Sequence, residues 1–68
     1  MNLSIECEQE ADGRWLAEVV GLAGVLAQGK SADDAMAKAE TLALRVLAEQ
    51  IEQGESGPQS VNITVAAA

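Results

Sequence analysis

The sequence predicts an α+β domain with the element order β-β-β-α-β. This is a three-stranded antiparallel sheet, one long helix and a fourth, C-terminal strand. Residues 3–10 and 14–20 each read as strands and are separated by Ala11-Asp12-Gly13. Residues 32–53 repeat apolar side chains at helical spacing behind a serine and two aspartates. Val61, Ile63 and Val65 alternate with Asn62 and Thr64, and Pro58 bars helix just before them. The 68 residues make a single domain, 1–68.

In the first strand Leu3, Ile5 and Cys7 fall on one side, and Ser4, Glu6, Glu8 and Glu10 on the other. The second strand is Arg-Trp-Leu-Ala-Glu-Val-Val. Sidedness decides how the two pair. A two-residue Asp12-Gly13 turn sets Cys7 against Glu18 and Glu8 against Ala17, which mixes both faces. A three-residue loop with Gly13 left-handed sets Cys7 against Ala17, Ile5 against Val19 and Glu6 against Glu18. One face is then apolar throughout, and a slip of one residue destroys it. The three-residue loop is therefore predicted.

Gly21-Leu22-Ala23-Gly24 reads as the next turn and residues 25–28 as a short third strand. Gly24 to Ser31 match G-x-x-x-x-G-K-[ST], the phosphate-binding loop pattern. That loop works by holding open backbone N–H groups toward phosphates. Here the spacer is Val25-Leu26-Ala27-Gln28, mostly apolar. The only later strand is followed by no metal-holding aspartate. We read the stretch as strand, a turn at Gly29 and a helix cap. Ser31 is the N-cap, and Asp33 and Asp34 oppose the helix dipole in the first turn.

The helix is expected over residues 32–53, with Gly54 as its stop, a loop over 54–59 and the last strand over 60–65. Residues 66–68 are expected to fray. Ala35, Met36, Ala39, Leu42, Ala43 and Val46 form one stripe, whose alanines suit close packing on a sheet. Leu44, Leu47 and Ile51 widen the apolar arc. They are either core beneath the fourth strand or a contact between copies in an oligomer. Asp34–Lys38 and Arg45–Glu49 are spaced for ion pairs worth about 0.2–0.5 kcal/mol each.

Composition narrows function. A domain this short buries only about 60% of its unfolded surface, so partners or self-association help hold it. The single cysteine, Cys7, precludes an internal disulfide and sits among apolar neighbours as a structural thiol. Histidine is absent, which removes the usual neutral-pH base and the commonest metal ligand. The net charge is −7 with only four cations, scattered along the chain, which argues against nucleic acid and for a basic partner. Glu6, Glu8 and Glu10 stand where a secretion signal would be basic then apolar, and no run spans a bilayer. A cytoplasmic protein is expected.

Glu6, Glu8 and Glu18 are the one dense polar group. Carboxylates in such a group suit Mg²⁺ or acid–base chemistry, so a metal-dependent hydrolase is one alternative, but alternating charge is also the ordinary wet face of a strand. No catalytic residue, metal or cofactor is expected. Glu6, Glu8, Leu16 and Glu18 are the candidate partner-binding residues, and Leu44, Leu47 and Ile51 the candidate oligomer contact.

Asp12-Gly13, Trp15-Leu16-Ala17, Gly24, Gly29, Ser31 and Asp34-Ala35, in this order and spacing, resemble the HicB-like antitoxin family. The resemblance covers residues 3–52. Ala23 replaces the family's usual Pro, and Lys30 its frequent Asp. It implies a partial RNase H-like domain without nuclease carboxylates, assembled as a homodimer or tetramer. Such a domain masks a small basic HicA-type mRNA-cleaving toxin. Many relatives add a C-terminal DNA-binding module, which this sequence, ending at Ala68, is expected to lack. A solitary oligomeric structural or regulatory domain without a toxin is the other alternative.

Overall fold

A computed structural model of the chain describes residues 1–54 and 57–66. Glu55 and Ser56 of the expected loop, and Ala67 and Ala68 of the expected frayed end, lie outside the described residues. The elements are β1 (Asn2–Gln9), β2 (Trp15–Val20), β3 (Leu26–Gly29), α1 (Ala32–Glu52) and β4 (Asn62–Val65). They form one four-stranded mixed sheet in the order β3-β2-β1-β4 with a helix on one face. The β-β-β-α-β α+β architecture is the one the sequence predicts.

The hairpin register is the predicted one. Cys7 opposes Ala17, Ile5 opposes Val19 and Glu6 opposes Glu18. The Glu10 N–H donates to the Arg14 carbonyl at 2.7 Å and the Gly13 N–H to the Glu10 carbonyl at 3.0 Å, which closes the three-residue loop. Gly13 is left-handed at φ 92°, where a Cβ would crowd the backbone. The Asp12 side chain secures the loop by accepting the Arg14 N–H at 3.0 Å. β3 continues the antiparallel sheet, with Ala17 opposite Ala27 and Glu18 opposite Leu26.

α1 carries the chain from the β3 edge to the β4 edge. β4 then pairs parallel with β1, Leu3 opposite Ile63. The start of the chain is tied into the same pairing. The Met1 ammonium donates to the Ser60 carbonyl at 2.7 Å, and the Asn62 N–H to the Met1 carbonyl at 2.9 Å.

Alternation and helical period place the core between them. Leu3, Ile5, Ala17, Val19 and Val25 on the sheet side meet Ala35, Met36, Ala39, Ala43 and Leu47 on the helix. Ala35, Ala39 and Ala43 are fully buried, so the helix backbone lies close to the sheet, chiefly over β2 and β3. Ser31 caps the helix as expected, its Oγ accepting the Asp34 N–H at 3.0 Å. Losing such a cap costs about 1 kcal/mol.

Three expectations about this region are corrected. The turn over residues 21–24 is as expected, but Gly29 does not make the turn before the helix; it is the last residue of β3, and the chain bends after it at Lys30 and Ser31. Its smallness serves close approach: a Cβ there would lie 2.8 Å from the Ala35 Cα and against the Ala35 nitrogen. The buried helix face is also rotated toward Leu47, which is 4% exposed, while Leu42 is 38% exposed. Leu47 is therefore core, and in the folded chain it is not open to a second copy. Lastly, Lys38 pairs with Asp34 at 3.2 Å, but the Glu49 carboxylate accepts from the Gln53 amide at 3.1 Å rather than pairing with Arg45.

Candidate functional site

Among the described residues one helix covers one face of the sheet, and no element covers the other. By the two-residue alternation of a strand, that face carries Ser4, Glu6 and Glu8 of β1, and Leu16, Glu18 and Val20 of β2. β3 adds Leu26 and Gln28. The registers arrange them in rows. Glu6, Glu18 and Leu26 lie across one row, and Glu8, Leu16 and Gln28 across the next.

Glu6, Glu8, Leu16 and Glu18, the residues expected from the sequence to meet a partner, therefore sit together. With Cys7 they line a shallow depression of about 220 Å³. Glu6 and Glu18 are direct cross-strand neighbours of like charge, an arrangement that destabilises an isolated sheet. Neither they nor Glu8 make a side-chain hydrogen bond or ion pair among the described residues. No three carboxylate, cysteine or histidine side chains among the described residues converge to hold a metal ion. What the three carboxylates offer is negative charge displayed on a rigid surface.

Two features were not read from the sequence. Val20 and Leu26 are 44% and 47% exposed and, with Glu18, border a second depression of about 460 Å³. The spacing Leu16-Glu18-Val20 carries half of this signal. The other half needs the β2–β3 register, which puts Leu26 beside Glu18. The second feature corrects the view that the cations are scattered. Arg14, Lys30 and Lys38 line one depression of about 220 Å³ at the start of α1. Two of the three charges are answered locally: Lys38 by Asp34 at 3.2 Å and Arg14 by Asp12 at 3.8 Å.

Asp34 organises this end of the molecule. Its carboxylate accepts the Lys30 N–H at 3.0 Å and pairs with Lys38. The Lys30 backbone bond, followed by Lys38, holds its pKa below the ordinary aspartate value. The segment that matches the phosphate-loop pattern is thus a strand ending in a capped helix. Val25 is buried, and the Val25 carbonyl is taken by the Val19 N–H at 2.9 Å.

Of the candidate oligomer contacts, Leu44 and Ile51 are 51% and 41% exposed and lie near one another on the helical wheel, whereas Leu47 is in the core. Cys7 is a partly buried free thiol packed against the core, as is the half-buried Trp15. No described helix is long and apolar enough to cross a membrane. Compared with protein-family models, with curated proteins and with solved structures, the chain matches none.

Proposed function

We propose that the chain is an antitoxin-like, protein-binding domain of the HicB type. It masks a small basic HicA-type mRNA-cleaving toxin by covering it in a stoichiometric complex. The observation that supports this reading is the sheet face opposite α1, where Glu6, Glu8 and Glu18 stand without partners among the described residues beside Leu16. Opposite charge on a partner relieves the Glu6–Glu18 repulsion and speeds encounter with a chain of net charge −7. The element order and the placement of Asp12-Gly13, Trp15, Gly29 and Ser31 support the resemblance that supplies the partner's identity. On this reading the domain is no enzyme, needs no cofactor, contacts no nucleic acid directly and works in the cytoplasm, where mRNA is cleaved.

A second reading has its own observation. Leu44 and Ile51 form an exposed apolar flank on α1, as a solitary structural or regulatory domain that acts as a homodimer or tetramer would require. The deciding experiment is affinity capture of the tagged domain from its native lysate at low and moderate salt, with mass spectrometry of the eluate. The antitoxin reading requires a small basic protein in stoichiometric amount, released as salt rises. That protein must cleave RNA, and the domain must stop the cleavage at one-to-one addition. Recovery of the domain alone as a stable oligomer supports the second reading and overturns the first.

A further inference from the structure

The outer sheet face has two halves of different chemistry that meet at one residue. On the β1 side Glu6 and Glu8 gather with Glu18; on the β3 side Val20 and Leu26 border the second depression, which Glu18 also lines. Leu16 lies between β1 and β3 on the same face, opposite Glu8 and Gln28. Exposed Val20 and Leu26 on one side of an acidic centre, with half-buried Leu16 on the other, do not fit an ordinary solvated face.

We propose that this face docks a basic amphipathic helix of a partner protein, one that presents a cationic and an aliphatic side chain from the same face, one turn apart. This rests on the reading that the outer face binds a basic protein, and it specifies the segment that binds.

The occupant follows from what the face offers. Backbone hydrogen bonds lie in the plane of the sheet, where β2 is flanked by β1 and β3, and β1 by β2 and, as far as Ile5, by β4, so an extended peptide laid across the face would find side chains but no backbone partners. A helix satisfies its own backbone and brings only side chains, as α1 does on the other face. Outward residues along β2 are about 6.6–6.8 Å apart, from two rises of one strand. Helix positions i and i+4 are about 5–6 Å apart at Cβ, so one turn of helix spans the step from the acidic half to the apolar half. The alkyl stem of a lysine lies along Leu16 while its ammonium reaches the carboxylates. A second copy of this chain is disfavoured on this face, because it would bring three more carboxylates to it.

The test uses the unaltered full chain and two synthetic helical peptides of identical composition. In one, lysine and leucine share a face at i,i+4; in the other they lie on opposite faces. Binding is followed by backbone amide shifts. The first peptide is expected to bind at least about tenfold more tightly and to shift Glu18, Val20 and Leu26 together. In the Val20→Thr, Leu26→Thr variant, which places a β-branched residue of good strand propensity at both positions and whose fold is checked by amide dispersion, its affinity falls at least about tenfold. Equal binding of the two peptides, or no loss in the variant, overturns the inference yet leaves the acidic face as a binding surface. Failure of both peptides to bind at low salt overturns the inference and the reading beneath it together. The peptide comparison needs no altered protein, so it decides between these outcomes even where the variant fails to fold.

Discussion

Replacing Gly29 by alanine tests the tightest junction in the molecule. The added Cβ would sit 2.8 Å from the Ala35 Cα and from an Asp34 carboxylate oxygen, and against the Ala35 nitrogen. Ordinary carbon contacts are about 3.5–4.0 Å, so the strand and helix must part by up to about 1 Å. The carboxylate can swing aside, but the Ala35 backbone cannot, because Ala35 is fully buried and begins the hydrogen-bonded helix by donating to the Ser31 carbonyl at 3.0 Å. Overpacking of this kind costs about 1–3 kcal/mol. For a domain of this length, total stability is roughly 3–10 kcal/mol at 0.05–0.15 kcal/mol per residue. A loss of about 2 kcal/mol lowers Tm by about 8–16 °C. Thermal unfolding followed by helix ellipticity measures it. Because the clash is with backbone, adding Ala35→Gly is not expected to rescue the variant. A Tm within about 2 °C of the parent refutes the close-packing account. Nucleotide binding that Gly29→Ala abolishes without change in Tm would instead revive the phosphate-loop reading of Gly24 to Ser31.

Leu47→Ala removes a core side chain that is 4% exposed and is expected to cost about 2–5 kcal/mol in urea unfolding. Leu44→Ala, at 51% exposed, is expected to stay within about 0.5 kcal/mol while shifting any self-association seen by sedimentation. Asp34 has its pKa lowered by the Lys30 backbone bond and by Lys38, so its contribution is present above the unfolded-state pKa and lost as pH falls through the folded-state value. Asp34→Asn is therefore expected to flatten the loss of stability below about pH 4, read by urea midpoints across an acid series. Glu18→Gln relieves the repulsion with Glu6 and is expected to raise the midpoint of the free domain slightly while weakening a basic partner, by calorimetry at low salt. A variant that both destabilises the free domain and leaves binding unchanged would contradict the role given to that pair.

Local chemistry made much of this fold legible. The hairpin register followed from the demand that one face be apolar, and Asp12-Gly13 supplied the loop that satisfies it. Ser31 and the aspartates after it fixed the helix start. What was not legible depends on distances between elements. Gly29 reads as a turn former in isolation, and only the approach of α1 to β3 reveals its role. The choice between Leu42 and Leu47 for the core depends on how α1 is rotated on the sheet, which a helical wheel with a wide apolar arc leaves open. The acidic half of the outer face was visible from alternation in β1 and β2. Its apolar half was missed because Leu26 joins it only through pairing with a third strand. Arg14 is far in sequence from Lys30 and Lys38, and it joins them because Trp15 pairs with Gly29 just before the helix.

The two faces of the sheet are linked through stability. One face is sealed by a core of small and medium apolar residues; the other holds a repelling Glu6–Glu18 pair and exposed Val20 and Leu26. Whatever covers the second face binds only the folded chain, because the face exists only when β1, β2 and β3 are in register. Such a ligand stabilises the fold by mass action, about 2.7 kcal/mol at a hundred times its Kd. For a domain of this size that is an increase of about 10–20 °C in Tm. The captured partner, or the lysine–leucine peptide, is therefore expected to raise Tm with its concentration, and Val20→Thr with Leu26→Thr to blunt that rise. A partner that binds tightly without raising Tm would be engaging the chain somewhere that does not depend on the folded sheet.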